Sequence, residues 1–457
     1  MTAGQTSSFS SGSPRERQIG VSHAIAYASS AARARVGDTP PKHLNTRQVA
    51  LGVVWLTMAL SAIVFSEPAP VDALLFGLLI FLPIVGLVRF SPLLALPLCG
   101  WLLIAALGFL ASLTATDAAL SARHTAITLY LSLIVIVLAG FVMSDPARHG
   151  RLIGSGLFAA AVIGACLGII GYFDVVPGSY DLFTLYGRAR GGFKDPNVLG
   201  AFLSATIVIA LHFSLHARGA VRAWYVTGFV IIILALLLTF SRSAWLTSFA
   251  AIAMYLYLSI LVAPSNKRRM TLLAMTGGGG LLCVVLLLGA LQFSSVSELL
   301  AERATLSQSH DVGPEGRFGG MTKAMQVIIQ SPLGIGSLEF RPRFHHEEPH
   351  NVWLAMFLNT GWAGGLIYFL LTIGTAIYGF RRLTKPSPMQ DLFVVFFAGY
   401  VATLIGGLVV DSDHWRHFFI LSGVVTGFSL APTGPLTIPE RRMAFLQRAP
   451  ANSQGES

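Results

Sequence analysis

The chain has 457 residues, 54% hydrophobic and only 11% charged, with a mean hydropathy of +0.68 and a formal net charge of +10. A soluble domain carries about 25% charged residues, so the charges here are confined to short stretches between long apolar runs, which excludes an ordinary soluble fold. The basic excess marks no nucleic-acid surface, since no basic face on a soluble domain is visible; basic cytosolic loops of a membrane protein explain it.

Residues 1–46 are rich in Ser, Ala and Arg and almost lack large apolar side chains, which predicts a disordered cytosolic tail. Twelve apolar runs follow, at about 49–66, 71–89, 93–113, 124–143, 152–173, 197–216, 221–240, 243–262, 270–293, 361–381, 391–411 and 414–431. Each approaches the roughly 20 residues that a hydrocarbon core of about 30 Å demands. The runs are continuous rather than alternating, which predicts helices and not barrel strands. The split between the seventh and eighth rests on Ser241, Arg242 and Ser243. Four glycines at 277–280 inside the ninth predict close helix packing. Cys99, Cys166 and Cys283 each lie in an apolar run, and their spacing predicts neither a disulfide framework nor a metal pair. A polar tail, 432–457, ends the chain.

Basic residues in short loops set the orientation. Arg33, Arg35, Lys42 and Arg47 share one side with Arg89, Arg148, Arg151, Arg218, Arg222, Lys267, Arg268, Arg269, Arg381, Arg382, Lys385, Arg441 and Arg442. That side is read as the cytosol, with both termini inside, in agreement with an even number of helices. The opposite side holds loop 174–196 with Arg188, Arg190 and Lys194, then Arg242 in a tight turn, then the long segment 294–360, and finally a turn with Asp411, Asp413, His414, Arg416 and His417. Cations there run against the bias, and charge at membrane depth is costly and usually has a purpose.

Segment 294–360 is too long for a plain connection. Met321, Met325, Ile328 and Ile329 share one face of a helix over 317–330, which Pro332 and its neighbouring glycines end. A second helix is expected just after Pro349. The segment reads as a helical cap, with spans at 47–293 before it and 361–431 after it.

The same segment contains His346-Glu347-Glu348-Pro349-His350, which matches the H-E-x-x-H pattern of zinc proteases. A zinc site of that type needs both histidines on one continuous helix. A proline inside a helix costs roughly 3 kcal/mol and pushes the preceding residue out of helical conformation. Pro349 fits better as the start of the next helix, with His350 in its first turn. No metal or other cofactor is therefore expected, with an irregular His/Glu metal site as the alternative. His345 and His346 are expected at the surface, as possible glycan contacts.

Arginine grips phosphate through a planar, permanently charged fork. Several arginines where lipid meets water suit a lipid-linked phosphate or diphosphate. A nearby histidine can take the proton of an attacking hydroxyl, while arginines stabilise a departing diphosphate. Together these describe transfer from a lipid diphosphate to a hydroxyl.

Four stretches carry a resemblance: "GRARGGFKDPNVLGAFL" at 187–203, "TFSRSAWL" at 239–246, "GRFGGMTKAMQVIIQSPLGIG" at 316–336 and "PHNVWLAMFLNTGWAGG" at 349–365. In this order, with the large outer loop in place, the chain resembles the O-antigen ligase/polymerase family of bacterial polysaccharide assembly. The resemblance covers about 187–431. It implies an all-α polytopic membrane protein of about twelve transmembrane helices, with a multi-spanning, GT-C-like glycosyltransferase architecture and a helical periplasmic cap. It implies a metal-independent, inverting glycosyltransferase in the bacterial inner membrane. The implied donor is an undecaprenyl-diphosphate glycan and the acceptor lipid A core or a growing glycan. His350 and Arg242 would be catalytic. Arg188 or Arg190 would bind the diphosphate, with Lys194, Arg317 and Arg416 as further substrate contacts and Asn351 supporting the loop.

Plain structural readings stand beside these roles. Arg188, Arg190 and Lys194 would be solvated loop charges, Arg242 an interfacial anchor, Arg317 a local cap and His350 a helix-start residue. Asp411, Asp413 and Arg416 would form an ion-pair cluster. Asp195 before Pro196 reads as a helix cap. Ligase and polymerase differ only in acceptor. A glycolipid transporter would spread polar residues through the midplane, whereas here they gather at one face.

Overall fold

The computed structural model describes residues 45–66, 68–290, 292, 313–314 and 316–432, with the backbone alone for 279–290. Nearly all of the two expected tails, and the first part of the outer segment, lie outside these residues. By its internal contacts the chain divides into two units, 1–48 and 49–457. Of the first, only 45–48 are described; they open a helix, with the Gln48 amide donating to the Asn45 carbonyl at 2.7 Å.

The helices in chain order are α1 (Thr46–Ala59), α2 (Pro70–Ile84), α3 (Ala95–Ser112), α4 (Ala118–Ser144), α5 (Pro146–Tyr172), α6 (Ser179–Phe183), α7 (Pro196–His216), α8 (Gly219–Leu238), α9 (Arg242–Leu261), α10 (Asn266–Ala290), α11 (Arg317–Gln330), α12 (Phe340–Arg343), α13 (Val352–Leu383), α14 (Gln390–Gly406) and α15 (Arg416–Leu430). Between α6 and α7, β1 (Thr184–Leu185) pairs antiparallel with β2 (Arg188–Ala189). The protein is an all-α polytopic membrane protein. Among the described residues, seven helices are long and apolar enough to cross a bilayer, and α2, α14 and α15 are shorter apolar helices.

Every one of the twelve apolar runs coincides with a helix, and the Ser241 turn does separate α8 from α9. The outer cap and the tenth run are joined differently from expectation. Both fall within α13, whose 32 residues are broken at Gly361, where φ is 72° and ψ −175°. The break is stabilised by the turn that follows α11. The Leu358 carbonyl, freed by the kink, accepts from the Ile335 amide at 2.8 Å, and the Trp362 amide donates to the Pro332 carbonyl at 2.9 Å. A side chain on Gly361 would place its Cβ 2.6 Å from the Pro332 oxygen. The two segments that sequence periodicity marked separately thus form one rigid joint.

The close packing expected at 277–280 is not found at Gly277 or Gly278, where a Cβ would meet nothing within 4 Å. It occurs instead where α15 lies on α4. Gly423 and Gly427, one turn apart, sit so near that a Cβ would come 2.8 Å from the Val135 oxygen and 2.7 Å from that of Ala139. Small residues four apart let helix backbones meet, and dispersion supplies the attraction. This α4/α15 pair runs through the core with Leu131, Val135, Leu138, Ile420 and Val424, all buried.

Candidate functional site

Several helices start around one cleft, and each start has a local cause. Pro196 at the first position of α7 follows Asp195, whose Oδ1 accepts from the Asn197 amide at 2.7 Å. Ser241 caps α9 after Phe240, a non-glycine residue at φ 47°. Arg317 is the first residue of α11. Asn351 caps α13: its Oδ1 accepts from Trp353 N at 3.0 Å and Leu354 N at 3.2 Å, while its Nδ2 donates to the Leu408 carbonyl at 3.0 Å. Trp415 precedes α15. Helix starts leave amide hydrogens facing outward and carry a partial positive charge, which suits an anion. Asp195, Asn197, Ser243, Arg317, Glu347, His350, Asp411 and Trp415 line the cleft, whose volume is about 370 Å³.

His350 is the most constrained residue there. Its φ is 48°, a left-handed conformation that a non-glycine residue adopts at a cost of about 1–3 kcal/mol. Asp411 holds it in place. The Asp411 carboxylate accepts from the His350 amide at 3.1 Å and from the Asn351 amide at 3.0 Å. The same carboxylate lies 3.3 Å from His350 Nδ1, and Glu347 Oε2 lies 3.3 Å from Nε2. The bond to Asp411 raises the imidazole above its usual range, against the opposing effect of burial, and the Asp411 charge adds to the rise. The neighbouring Glu348 is pushed up to about 7 by burial and by the Asp411 charge. Carboxylates flank both ring nitrogens, and Nε2 can act as proton acceptor once it leaves Glu347, the more exposed of the two.

The model of the O-antigen ligase family matches residues 227–369. The match covers less than half of the chain and makes that segment similar to O-antigen ligases. No curated protein matches the sequence. The matched segment contains Arg242, Arg317, His350 and Asn351, while Asp195, Asn197, Asp411 and Trp415 complete the cleft from outside it.

The sequence-predicted residues divide by position. His350 and Arg317 line the cleft. Asn351 caps α13 and also ties its start to the Leu408 carbonyl after α14, and Pro349 and His350 precede α13 instead of opening it. Asn351 supplies the side-chain acceptor that a proline lacks, so the helix begins one residue later, at Val352. Residues 344–351 are not helical, so the single-helix histidine pair of a zinc protease is not formed. Arg242, half-buried, sits beside the cleft-lining Ser243 at the start of α9. Lys194 is exposed and precedes Asp195.

Arg188 and Arg190 part company. Arg188 Nε donates to the Thr239 carbonyl at 2.7 Å and Nη2 to Asn197 Oδ1 at 2.8 Å. It ties the end of α8 to the cleft-lining start of α7. Arg190 turns away, its Nη2 donating to the Asp181 carbonyl at 3.4 Å. Arg188 lies in β2, whereas Arg190 follows it outside the strand.

Two expectations are corrected. Arg416 is not among the residues lining the cleft; it is buried and gives a two-pronged bond to Asp72, Nε to Oδ1 at 2.9 Å and Nη2 to Oδ2 at 2.7 Å. The Tyr130 hydroxyl and the Ala69 amide donate to the same carboxylate. This is the structural reading of that turn, and the glycan contact expected at Arg416 gives way to it. His345, expected at the surface, is buried with its ring over Gly320, where an added Cβ would come 3.1 Å from Cε1.

Sequence reasoning missed Asp411 as the partner of His350. Its one signal was a charge-rich short turn, and nothing local links positions 61 apart. It also missed a cluster behind the cleft. His124 Nε2 lies 3.0 Å from Asp413 Oδ2, and His414 Nε2 lies 2.9 Å from the Thr128 hydroxyl. Donor atoms of His124, Asp413 and His414 all lie within 4.8 Å of one another, a set able to hold a metal ion. Its two imidazoles stack with centroids 3.6 Å apart, and the rings would have to separate to converge on one ion. Burial opposes ionisation of Asp413, but the His124 bond and charge outweigh it and hold this carboxyl below its usual range.

Proposed function

We propose that this chain transfers a glycan from an undecaprenyl-diphosphate carrier to an acceptor hydroxyl on the periplasmic face of the inner membrane. Ligation to lipid A core is the leading assignment. The observation that carries the reading is the setting of His350: oriented by Asp411, beside Arg317, in a cleft ringed by helix starts. His350 Nε2 takes the proton of the acceptor hydroxyl. The hydroxyl oxygen bonds to the anomeric carbon as the bond from that carbon to the diphosphate oxygen breaks. The electron pair leaves with the diphosphate, whose charge Arg317, Arg242 and the amides of the helix starts stabilise. A single displacement inverts the anomeric centre. The cationic work that Mg²⁺ does in many soluble enzymes falls here to side chains, so the reaction is metal-independent. Arg188 positions α7, Lys194 meets substrate from the rim, and both chain termini are cytoplasmic in a twelve-span, GT-C-like arrangement.

The test is reconstitution with lipid-diphosphate glycan and candidate acceptors in the presence of EDTA. Transfer is expected to persist for wild type and to be lost in His350→Ala and Arg242→Ala. Full activity in both variants would refute the site. Lipopolysaccharide of a deletion strain separates the acceptors. Loss of all capped product with carrier-linked polymer retained marks a ligase, and a single-repeat product marks a polymerase.

A further inference from the structure

A second polar pocket lies at the far end of α7. The 21 residues of α7 span about 30 Å at about 1.5 Å each, so its two ends reach opposite sides of a bilayer core. The cleft takes the first turn of α7; this pocket, of about 340 Å³, takes the last, with Arg151, His212, His216, Tyr225 and Asp391 among its lining.

Hydrogen bonds extend from its wall to a second cation. His216 Nδ1 donates to the His212 carbonyl at 2.8 Å, so Nε2 is left to accept from Arg268 Nη2 at 3.0 Å. His216, which lines the pocket, thus connects it to Arg268, which lies outside the lining and whose guanidinium has five N–H donors. Among the described residues, Arg268 has no carboxylate partner, and neither Arg151 nor Asp391 makes a hydrogen bond or ion pair through its side chain. Arg151 and Asp391 thus face one pocket without neutralising each other. A lining cation with a second held beside the wall by His216 suits a phosphate, and an unmatched carboxylate suits an ammonium group.

We propose that this pocket binds the headgroup of a zwitterionic phospholipid, with the phosphate on Arg151 and Arg268 and the ammonium on Asp391. A lipid is favoured over a soluble phosphate ester by the aromatic and apolar remainder of the wall, Phe213, Tyr225 and Leu392. Aromatic rings at the end of a membrane helix sit at headgroup level.

The experiment uses the full-length protein, delipidated in detergent and titrated separately with phosphatidylethanolamine, phosphatidylglycerol and soluble phosphoethanolamine. Phosphatidylethanolamine should bind about tenfold tighter than phosphatidylglycerol, the scale of one charge-assisted hydrogen bond. Arg151→Gln and Arg268→Gln should each weaken it by a similar factor. Asp391→Asn should remove the preference between the two lipids while leaving the phosphate grip. Arg151 and Asp391 are exposed, so those two variants fold even if Arg268→Gln does not, and thermal melting checks this. Equal binding of the two lipids by wild type, or unchanged affinity in Arg151→Gln, overturns the proposal. Phosphoethanolamine held as tightly as the lipid overturns the choice of a lipid. Transferase activity at the cleft is not the readout, so this test and that of the proposed reaction fail independently.

Discussion

The turn between α14 and α15 supplies one member to each of two charged pairs, and the pairs are built to different ends. Asp411 meets His350 at 3.3 Å at the edge of an open cleft, and the two side chains keep 23% and 36% of their surface exposed. Arg416 meets Asp72 at 2.7 Å with 8% and 11% exposed. The second pair is closed: Arg416, Tyr130 and the Ala69 amide occupy the Asp72 oxygens. The first is open, since His350 Nε2 faces only a half-exposed Glu347. Charge in a short turn therefore points to a site only where a polar atom is left for something else to engage.

The largest effect should come from opening the sealed pair. Removing one partner of a buried ion pair leaves the other charge desolvated and costs about 3–5 kcal/mol. Arg416→Ala should abolish folded protein in the membrane, read as loss of a monodisperse peak and of thermal melting. A folded Arg416→Ala protein that has merely lost transfer would return Arg416 to the substrate site.

His350→Ala is the counterpart on the open side. Loss of a general base slows a reaction by about 10²–10⁴-fold; alanine keeps the φ 48° strain and loses only a part-exposed pair with Asp411, so stability should fall far less than in Arg416→Ala. Single-turnover transfer and melting temperature, measured on one preparation, separate this outcome from that of Arg416→Ala.

Asp411→Asn should act more mildly and through pH. Asp411 raises the His350 imidazole above 6.5, and a base must be neutral to accept a proton. The acidic limb of the rate profile should therefore lie above pH 6.5 and move down when the carboxylate becomes an amide. The sign for stability follows the same shift. A raised imidazole contributes stability that is present below its unfolded value and fades as pH climbs through the folded one. An acidic limb that stays put in Asp411→Asn would mean that another group, such as Glu348 at about 7, sets it.

Much of this was legible in the sequence because it is local. Apolar runs located the helices, Pro332 and its glycines ended α11, and Asp195 with Pro196 announced the start of α7. His350 and Arg317 stood out as polar groups on the side opposite the basic short loops, and both line the cleft. What could not be read is long-range. Asp72 lies 344 positions from Arg416, inside what reads as an ordinary apolar run, and no local pattern says that the two meet. Gly423 and Gly427 escaped notice for the same reason, since a glycine's worth depends on what lies across from it. The run at 277–280 drew attention by repetition, but open space faces Gly277 and Gly278.

The smallest expected effect tests the two arginines that sequence could not tell apart. Arg188 bridges the Thr239 carbonyl and Asn197; a hydrogen bond to a charged group contributes about 1.5–3 kcal/mol. Arg188→Gln should loosen the start of α7 and lower both stability and transfer. Arg190 reaches only the Asp181 carbonyl, at 3.4 Å, away from the cleft. Arg190→Gln should stay within about 0.5 kcal/mol of wild type, with donor KM unchanged. The comparison breaks if Arg190→Gln raises donor KM while Arg188→Gln does not, because the phosphate would then engage the arginine that faces away from α7. It sharpens if Arg188→Lys fails to rescue, since an ammonium cannot span a carbonyl and an amide oxygen with the fixed geometry of a guanidinium.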